Sequence, residues 1–127
     1  MIIDFVKRYA TWWNGATFGT RLFTAKHGRL VGEDESGNKY YVNETGDRRW
    51  VIYAGETEAS TVSPDWHGWL HHTFDEIPSE TPLPRQAWEK PHKPNLTGTP
   101  GAYHPPGSLA AAQPRPARAR YEAWTPE

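Results

Sequence analysis

Cysteine is absent from this chain of 127 residues. That absence excludes disulfides, thiolate catalysis and a protein-held iron–sulfur cluster, and it fits a reducing compartment. No apolar run reaches the roughly 20 residues of a membrane-spanning helix, and the first residues lack the core and cleavage pattern of a signal peptide. Neither sign of charge is in excess. Fourteen Lys and Arg stand against fifteen Asp and Glu, so the net charge is −1 and no global field favours nucleic acid or an anionic membrane. The glycines never assemble G-x-x-x-x-G-K or G-x-G-x-x-G, and no serine nucleophile elbow occurs. With 36% hydrophobic residues there is material for one small domain. What the chain has in quantity is tryptophan, with 7, and proline, with 12.

The stretch Val62–Pro78 concentrates the information. Ser63 can cap a helix, Pro64 suits its first turn, and Asp65 sets a negative charge at the positive end of the helix dipole. Trp66, Trp69, Leu70 and Phe74 recur at helical spacing, and Pro78 ends the stretch. The spacing predicts one short Trp/His helix over these residues. Its composition implies that something packs on it or binds it.

Upstream, Ile2, Phe5, Val6, Tyr9, Trp12 and Trp13 follow the i, i+3, i+4 pattern of a first amphipathic helix, closed by Asn14-Gly15. Such a helix can lie on a partner, contact a membrane surface, or fold back onto the chain's own sheet. Residues 15–28 read as a connector with a short strand around Arg21–Thr24. Three strands follow, Gly28–Asp34, Lys39–Asn43 and Arg48–Tyr53, joined by two glycine-containing turns. This describes an antiparallel meander with aromatics on both faces. Two short helices cannot cover both faces, which argues for a partner.

From Pro78 onward the chain holds 11 of its 12 prolines. Five of these, at 82, 84, 91, 94 and 100, forbid a continuous helix over that segment. Large side chains recur along it at Leu83, Trp88, Leu96, Tyr103, Leu109, Tyr121 and Trp124, as in an extended arm lying across another protein. The expected fold is therefore α+β: an N-terminal helix and connector over 1–27, a small meander with the Trp/His helix over 28–78, and an extended Pro-rich arm over 79–127.

His67 and His71 stand one helical turn apart, with Asp75 four residues on, a spacing that zinc can use and that would suit a small hydrolase. The glutamate that zinc proteases place beside the first histidine is here Gly68. Arg48-Arg49 beside Trp50 makes at most a small nucleic-acid patch, since adjacent strand residues face opposite ways. Glu33-Asp34-Glu35 and Asp75-Glu76 read as solvated charges. The residues favour a small binding or structural subunit over an enzyme.

The segments Leu30-Val31-Gly32-Glu33-Asp34, Gly37-Asn38-Lys39-Tyr40-Tyr41, Arg49-Trp50-Val51-Ile52-Tyr53 and Trp66-His67-Gly68-Trp69-Leu70-His71 form a specific pattern. It continues through His92-Lys93-Pro94-Asn95-Leu96-Thr97-Gly98-Thr99-Pro100 and Tyr103 to the closing Tyr121-Glu122-Ala123-Trp124. It resembles the small accessory subunit of respiratory complex I, NADH:ubiquinone oxidoreductase, whose paralogue mimitin is an assembly factor. The resemblance covers residues 28 to the C-terminus, while the first 25 match loosely. Ser63 departs from the family's proline at the helix entry.

The resemblance implies a non-catalytic subunit of the peripheral arm, without a cofactor of its own. Its implied partners are the ferredoxin-like subunit with two four-iron clusters, the large iron–sulfur subunit and neighbouring accessory subunits. An assembly factor that leaves the mature enzyme is the alternative. Expected partner-binding residues are Trp66, His67, Trp69, His71, Trp88, Asn95, Thr97, Tyr103 and Trp124. The short N-terminus without an Arg-rich transit pattern suggests the cytoplasmic face of a bacterial inner membrane, with the mitochondrial matrix side as the alternative.

Overall fold

A computed structural model of the chain describes residues 2–11, 15–105, 107–110 and 124–126. The polypeptide divides into two units, residues 1–94 and 95–127.

The first unit is built on the meander. Strands β1 (Arg29–Glu33), β2 (Lys39–Val42) and β3 (Arg49–Ile52) pair antiparallel in the order β1-β2-β3. Gly37 and Gly46 supply the positive φ values, 82° and 84°, that the two connecting turns need. The register sets Tyr40 opposite Val51 and Tyr41 opposite Trp50. Because side chains alternate, Tyr40, Val42 and Val51 share one face while Tyr41, Trp50 and Ile52 share the other. Between Leu30 and Gly32 the β1–β2 register slips by one residue, leaving Val31 as a bulge packed against the core.

Helix α3 (Pro64–Leu70) lies on the first face, with Ser63 at the N-cap position and Pro64 in the first turn. It is shorter than the stretch Val62–Pro78 predicts. His72 takes a left-handed φ of 55°, its N–H bonds the Trp69 carbonyl, and the Thr73 N–H bonds the Gly68 carbonyl. This pair of bonds is the Schellman termination, here with histidine in place of glycine. Beyond it the chain reverses, and Phe74 folds back onto Gly68.

The expected connector and short strand over residues 15–28 is instead helix α2 (Phe18–His27). The Thr17 hydroxyl accepts the Thr20 N–H at its start, Lys26 and His27 sit in its last turn, and Gly28 ends it. Helix α2 meets the second sheet face. Phe23 lies 5.6 Å from Trp50, and the Trp50 indole N–H donates to the Thr24 hydroxyl at 2.9 Å. Helix α1 (Ile2–Ala10) matches the predicted first helix as far as Ala10; Trp12, Trp13 and Asn14 lie outside the described residues.

The core comprises Tyr40, Val42, Val62, Trp66 and Trp69. At roughly 1.5–3 kcal/mol per buried large side chain, these five carry much of the fold.

A candidate docking surface

Tyr40 is fully buried and organises the core. Its ring stacks on Trp66 at 4.0 Å and 5°, and meets Trp69 edge-on at 6.4 Å and 87°. Trp66 and Trp69 are themselves perpendicular at 5.5 Å. Offset and edge-to-face contacts of this kind add about 0.5–1.5 kcal/mol each beyond burial. Close passage of Trp66 over β1 is permitted by Gly32, where a Cβ would lie 2.7 Å from the indole ring. The same device recurs at Gly68, where a Cβ would lie 2.5 Å from the Phe74 ring. The zinc-protease glutamate is thus missing at a position that holds Phe74 against the helix.

The polar end of Tyr40 ties the core to the first hairpin. Its hydroxyl donates to Asp34 Oδ2 at 2.7 Å. Asp34 also accepts the backbone N–H groups of Ser36 and Asn38 and the Asn38 side-chain amide. Burial pushes the Tyr40 phenol far above its ordinary value, and the neighbouring Asp34 carboxylate pushes it further. Asn38, 2% exposed, donates to the Thr61 hydroxyl and accepts the Ala54 N–H, joining the hairpin to the segment that leads into α3. Asp34 was expected to be a solvated charge. It is half-buried because four donors converge on it.

Arg49 is likewise internal. Its guanidinium donates to the carbonyls of Trp69 at 2.7 Å and Phe74 at 3.0 Å, pairs with Asp75, and lies 4.8 Å from the Trp69 ring centroid. Arg49 therefore closes the carbonyl end of α3 and is no part of a nucleic-acid patch. Asp75, the third residue of the zinc spacing, is the one that pairs with Arg49. His67 and His71 do approach, with ring centroids 4.2 Å apart, but α3 ends before His71 and Asp75 is held by Arg49. Among the described residues no three His, Asp or Glu side chains form a metal-holding group.

The arm's first part packs on this unit. Asp65, buried in the first turn of α3, pairs with Arg85 at 3.0 Å; Arg85 also pairs with Glu89, and His92 Nε2 lies 2.8 Å from the Ser60 carbonyl. With Glu33–Glu35, the side chains of Asp65, Arg85, Glu89 and His92 line a groove of about 690 Å³. Among the described residues 82–105 there is neither helix nor strand.

In the second unit, Asn95 Oδ1 accepts both the N–H and the hydroxyl of Thr97 at 3.1 and 2.8 Å, and the Thr99 N–H bonds the Leu96 carbonyl. Gly98, at φ 85°, occupies the turn position that demands it. Asn95 and Thr97 thus shape a turn that presents Leu96.

The expected partner residues fall into three groups. Trp66 and Trp69 are buried within the chain. His67 on α3 and His71 at its C-cap are exposed, and Asn95 and Thr97 build the turn. Trp88, Tyr103 and Trp124 are 80%, 83% and 81% exposed. Of the closing block, Tyr121, Glu122 and Ala123 lie outside the described residues. Not foreseen from sequence were Asp34, which gathers donors from its own hairpin, and Asn38, Arg49 and the Asp65–Arg85 pair, whose roles depend on contacts across the fold.

Fold and surface together define a small α+β protein with large aromatic side chains left exposed along its arm. The chain belongs to the NADH ubiquinone oxidoreductase subunit NDUFA12 family, whose model matches residues 28–126. It is 43% identical over 89 residues to NADH dehydrogenase (ubiquinone) 1 alpha subcomplex subunit 12 of Dictyostelium discoideum, covering 66% of this chain and 64% of that protein. The same-named protein of Bos taurus is 43% identical over 91 residues, covering 61% and 63%. A probable subunit of that name from Arabidopsis thaliana is 40% identical over 110 residues, covering 76% and 66%. The aligned region thus spans less than two thirds of the Dictyostelium and Bos proteins.

Proposed function

We propose that this chain is a non-catalytic accessory subunit of the peripheral arm of respiratory complex I. In this reading it packs on the core iron–sulfur subunits, namely the ferredoxin-like subunit with two four-iron clusters and the large iron–sulfur subunit. Residues 28–78 form the folded body and residues 79–127 the docking arm. One observation carries the reading. The family match continues through the arm to residue 126, while the arm's Trp88, Tyr103 and Trp124 each leave four fifths or more of their surface in water. Large aromatics of that exposure are the side chains that bury best at interface centres. His67 on α3, His71 at its C-cap, and the turn built by Asn95 and Thr97 supply polar contacts around them.

No helix among the described residues is long and apolar enough to cross a membrane, so attachment to the membrane enzyme falls to protein contacts or a surface helix. The proposed location is the cytoplasmic face of a bacterial inner membrane, with the mitochondrial matrix side as the counterpart. The test is a native gel of detergent-solubilised membranes. The chain should co-migrate stoichiometrically with NADH dehydrogenase activity, and truncation after Pro94 should release it. Its presence only in sub-assemblies would identify an assembly factor instead. Migration apart from every complex I species would defeat both readings.

A further inference from the structure

The N-terminal helices leave an apolar surface that the fold does not use. On α1, Ile2, Phe5, Val6 and Tyr9 are 81%, 64%, 51% and 48% exposed; on α2, Phe18 and Leu22 are 54% and 58% exposed. The surface is continuous, because the Tyr9 ring lies 4.6 Å from Phe5 and 5.8 Å from Phe18. Helix α2 accounts for the division of its own residues. Phe23 and Thr24 face Trp50, and at 100° per residue Phe18, Leu22 and Ala25 fall on the far side. Arg21 and Lys26 flank that outward stripe, and Lys7 lies opposite the apolar side of α1.

Charge indicates the occupant. Residues 1–30 carry five Lys and Arg against Asp4 alone, whereas residues 31–127 carry nine against fourteen acidic residues. The chain is nearly neutral overall, but the exposed apolar helix surface found among the described residues is at its basic end. The family match begins at residue 28, after both helices.

The geometry points to an anionic bilayer surface as the ligand of the α1–α2 face. Ile2, Phe5, Val6, Phe18 and Leu22 enter the boundary between headgroups and acyl chains. Tyr9 sits at headgroup depth, and Lys7, Arg21 and Lys26 reach lipid phosphates. Neither helix spans: α1, with 9 residues, is far too short, so both lie in the interface plane. This inference goes beyond the docking of the arm, which uses the opposite end of the sequence.

The test is co-sedimentation of the full chain with vesicles of phosphatidylcholine alone or mixed with phosphatidylglycerol. Binding to the mixed vesicles is expected to exceed binding to neutral ones by about tenfold or more, and to fall as salt rises from about 0.1 M to about 1 M. The double variant Phe5→Glu/Val6→Glu should weaken it at least about tenfold, and Lys7→Glu/Lys26→Glu should abolish the preference for anionic lipid. Both variants should keep the near-ultraviolet dichroism of the Tyr40–Trp66 stack, which shows that the fold is intact. Absence of binding to mixed vesicles, equal binding to both kinds, or unchanged binding of Phe5→Glu/Val6→Glu would overturn the inference. So would a concentration-dependent dimer that consumes the surface and is lost in that variant. Co-migration of Phe5→Glu/Val6→Glu with complex I reports separately on the accessory-subunit reading.

Discussion

Replacing Gly32 with alanine isolates the contact on which the core is built. Gly32 is not in the left-handed region, and an added methyl there would ordinarily stabilise a strand by about 0.4–1 kcal/mol through the unfolded chain. Here that methyl would sit 2.7 and 2.8 Å from two carbons of the Trp66 ring, about 0.7 Å or more inside the ordinary carbon–carbon contact of 3.5–4.0 Å. The ring has little room to yield. It is stacked on Tyr40 at 4.0 Å, crossed by Trp69 at 5.5 Å, and Tyr40 is pinned through its hydroxyl to Asp34. Overpacking against rigid neighbours costs about 1–3 kcal/mol, a large share of the roughly 5–15 kcal/mol available to a small domain. Urea unfolding followed by tryptophan fluorescence gives the difference directly. Gly55→Ala, where a Cβ meets nothing within 4 Å, should be neutral or slightly stabilising and serves as the reference. Combining Gly32→Ala with Trp66→Phe should recover part of the loss, with a coupling of about 0.5–3 kcal/mol. Wild-type stability in Gly32→Ala, or strict additivity in the double variant, would refute the account of Trp66 seated over β1.

The same contacts and backbone angles fix three further outcomes. Tyr40 and Tyr53 both have phenols raised by burial, so the folded state holds protons that the unfolded state gives up near pH 10. Their contribution is fully present below pH 10 and is lost as pH rises above it, at up to about 1.4 kcal/mol per pH unit for each group; urea midpoints from pH 8 to 11 should show this fall, and Tyr40→Phe should make it shallower. His72→Gly should be neutral or stabilise by up to about 1 kcal/mol, because glycine pays no steric penalty at φ 55°, whereas His72→Val should destabilise by more than that in the same melts. Arg85→Ala removes the partner of buried Asp65 and should free the arm locally; chymotrypsin should then cut after Trp88 faster, and an unchanged rate would show that the ion pair does not hold the arm.

The three strands were legible because their signals are local: alternating apolar residues bounded by glycine turns. The start of α3 was legible for the same reason, through Ser63, Pro64 and Asp65. Its end was not, since the left-handed stop falls on His72 and no glycine or asparagine marks it. Helix α2 was hidden by its composition. Thr17, Gly19, Thr20 and Thr24 have low helix propensity, and the apolar residues divide between Phe23 facing the sheet and Phe18 with Leu22 facing away. A helix whose apolar residues serve two surfaces shows no single stripe. Thr17 as a cap, Lys26-His27 in the last turn and Gly28 as a stop were the signals available. Asn38, Arg49 and Asp65 could not have been assigned by spacing, because they have partners 16 to 26 residues away.

The two uses of tryptophan in this chain explain its architecture. Tyr40, Trp66 and Trp69 are consumed by a core of only five buried hydrophobic residues among those described, and that core closes one face of the sheet. Trp50 anchors α2 on the other face through a single hydroxyl and one ring contact, leaving Leu30 54% exposed at the sheet's edge. A body this small buries a modest fraction of its surface, so any bound partner would add appreciably to its stability through mass action. Trp88, Tyr103 and Trp124 at one end of the chain, and the α1–α2 face at the other, are surfaces through which that share can be drawn. On the proposed readings, a larger assembly at the arm and a bilayer at the α1–α2 face would each add stability by covering these exposed aromatics.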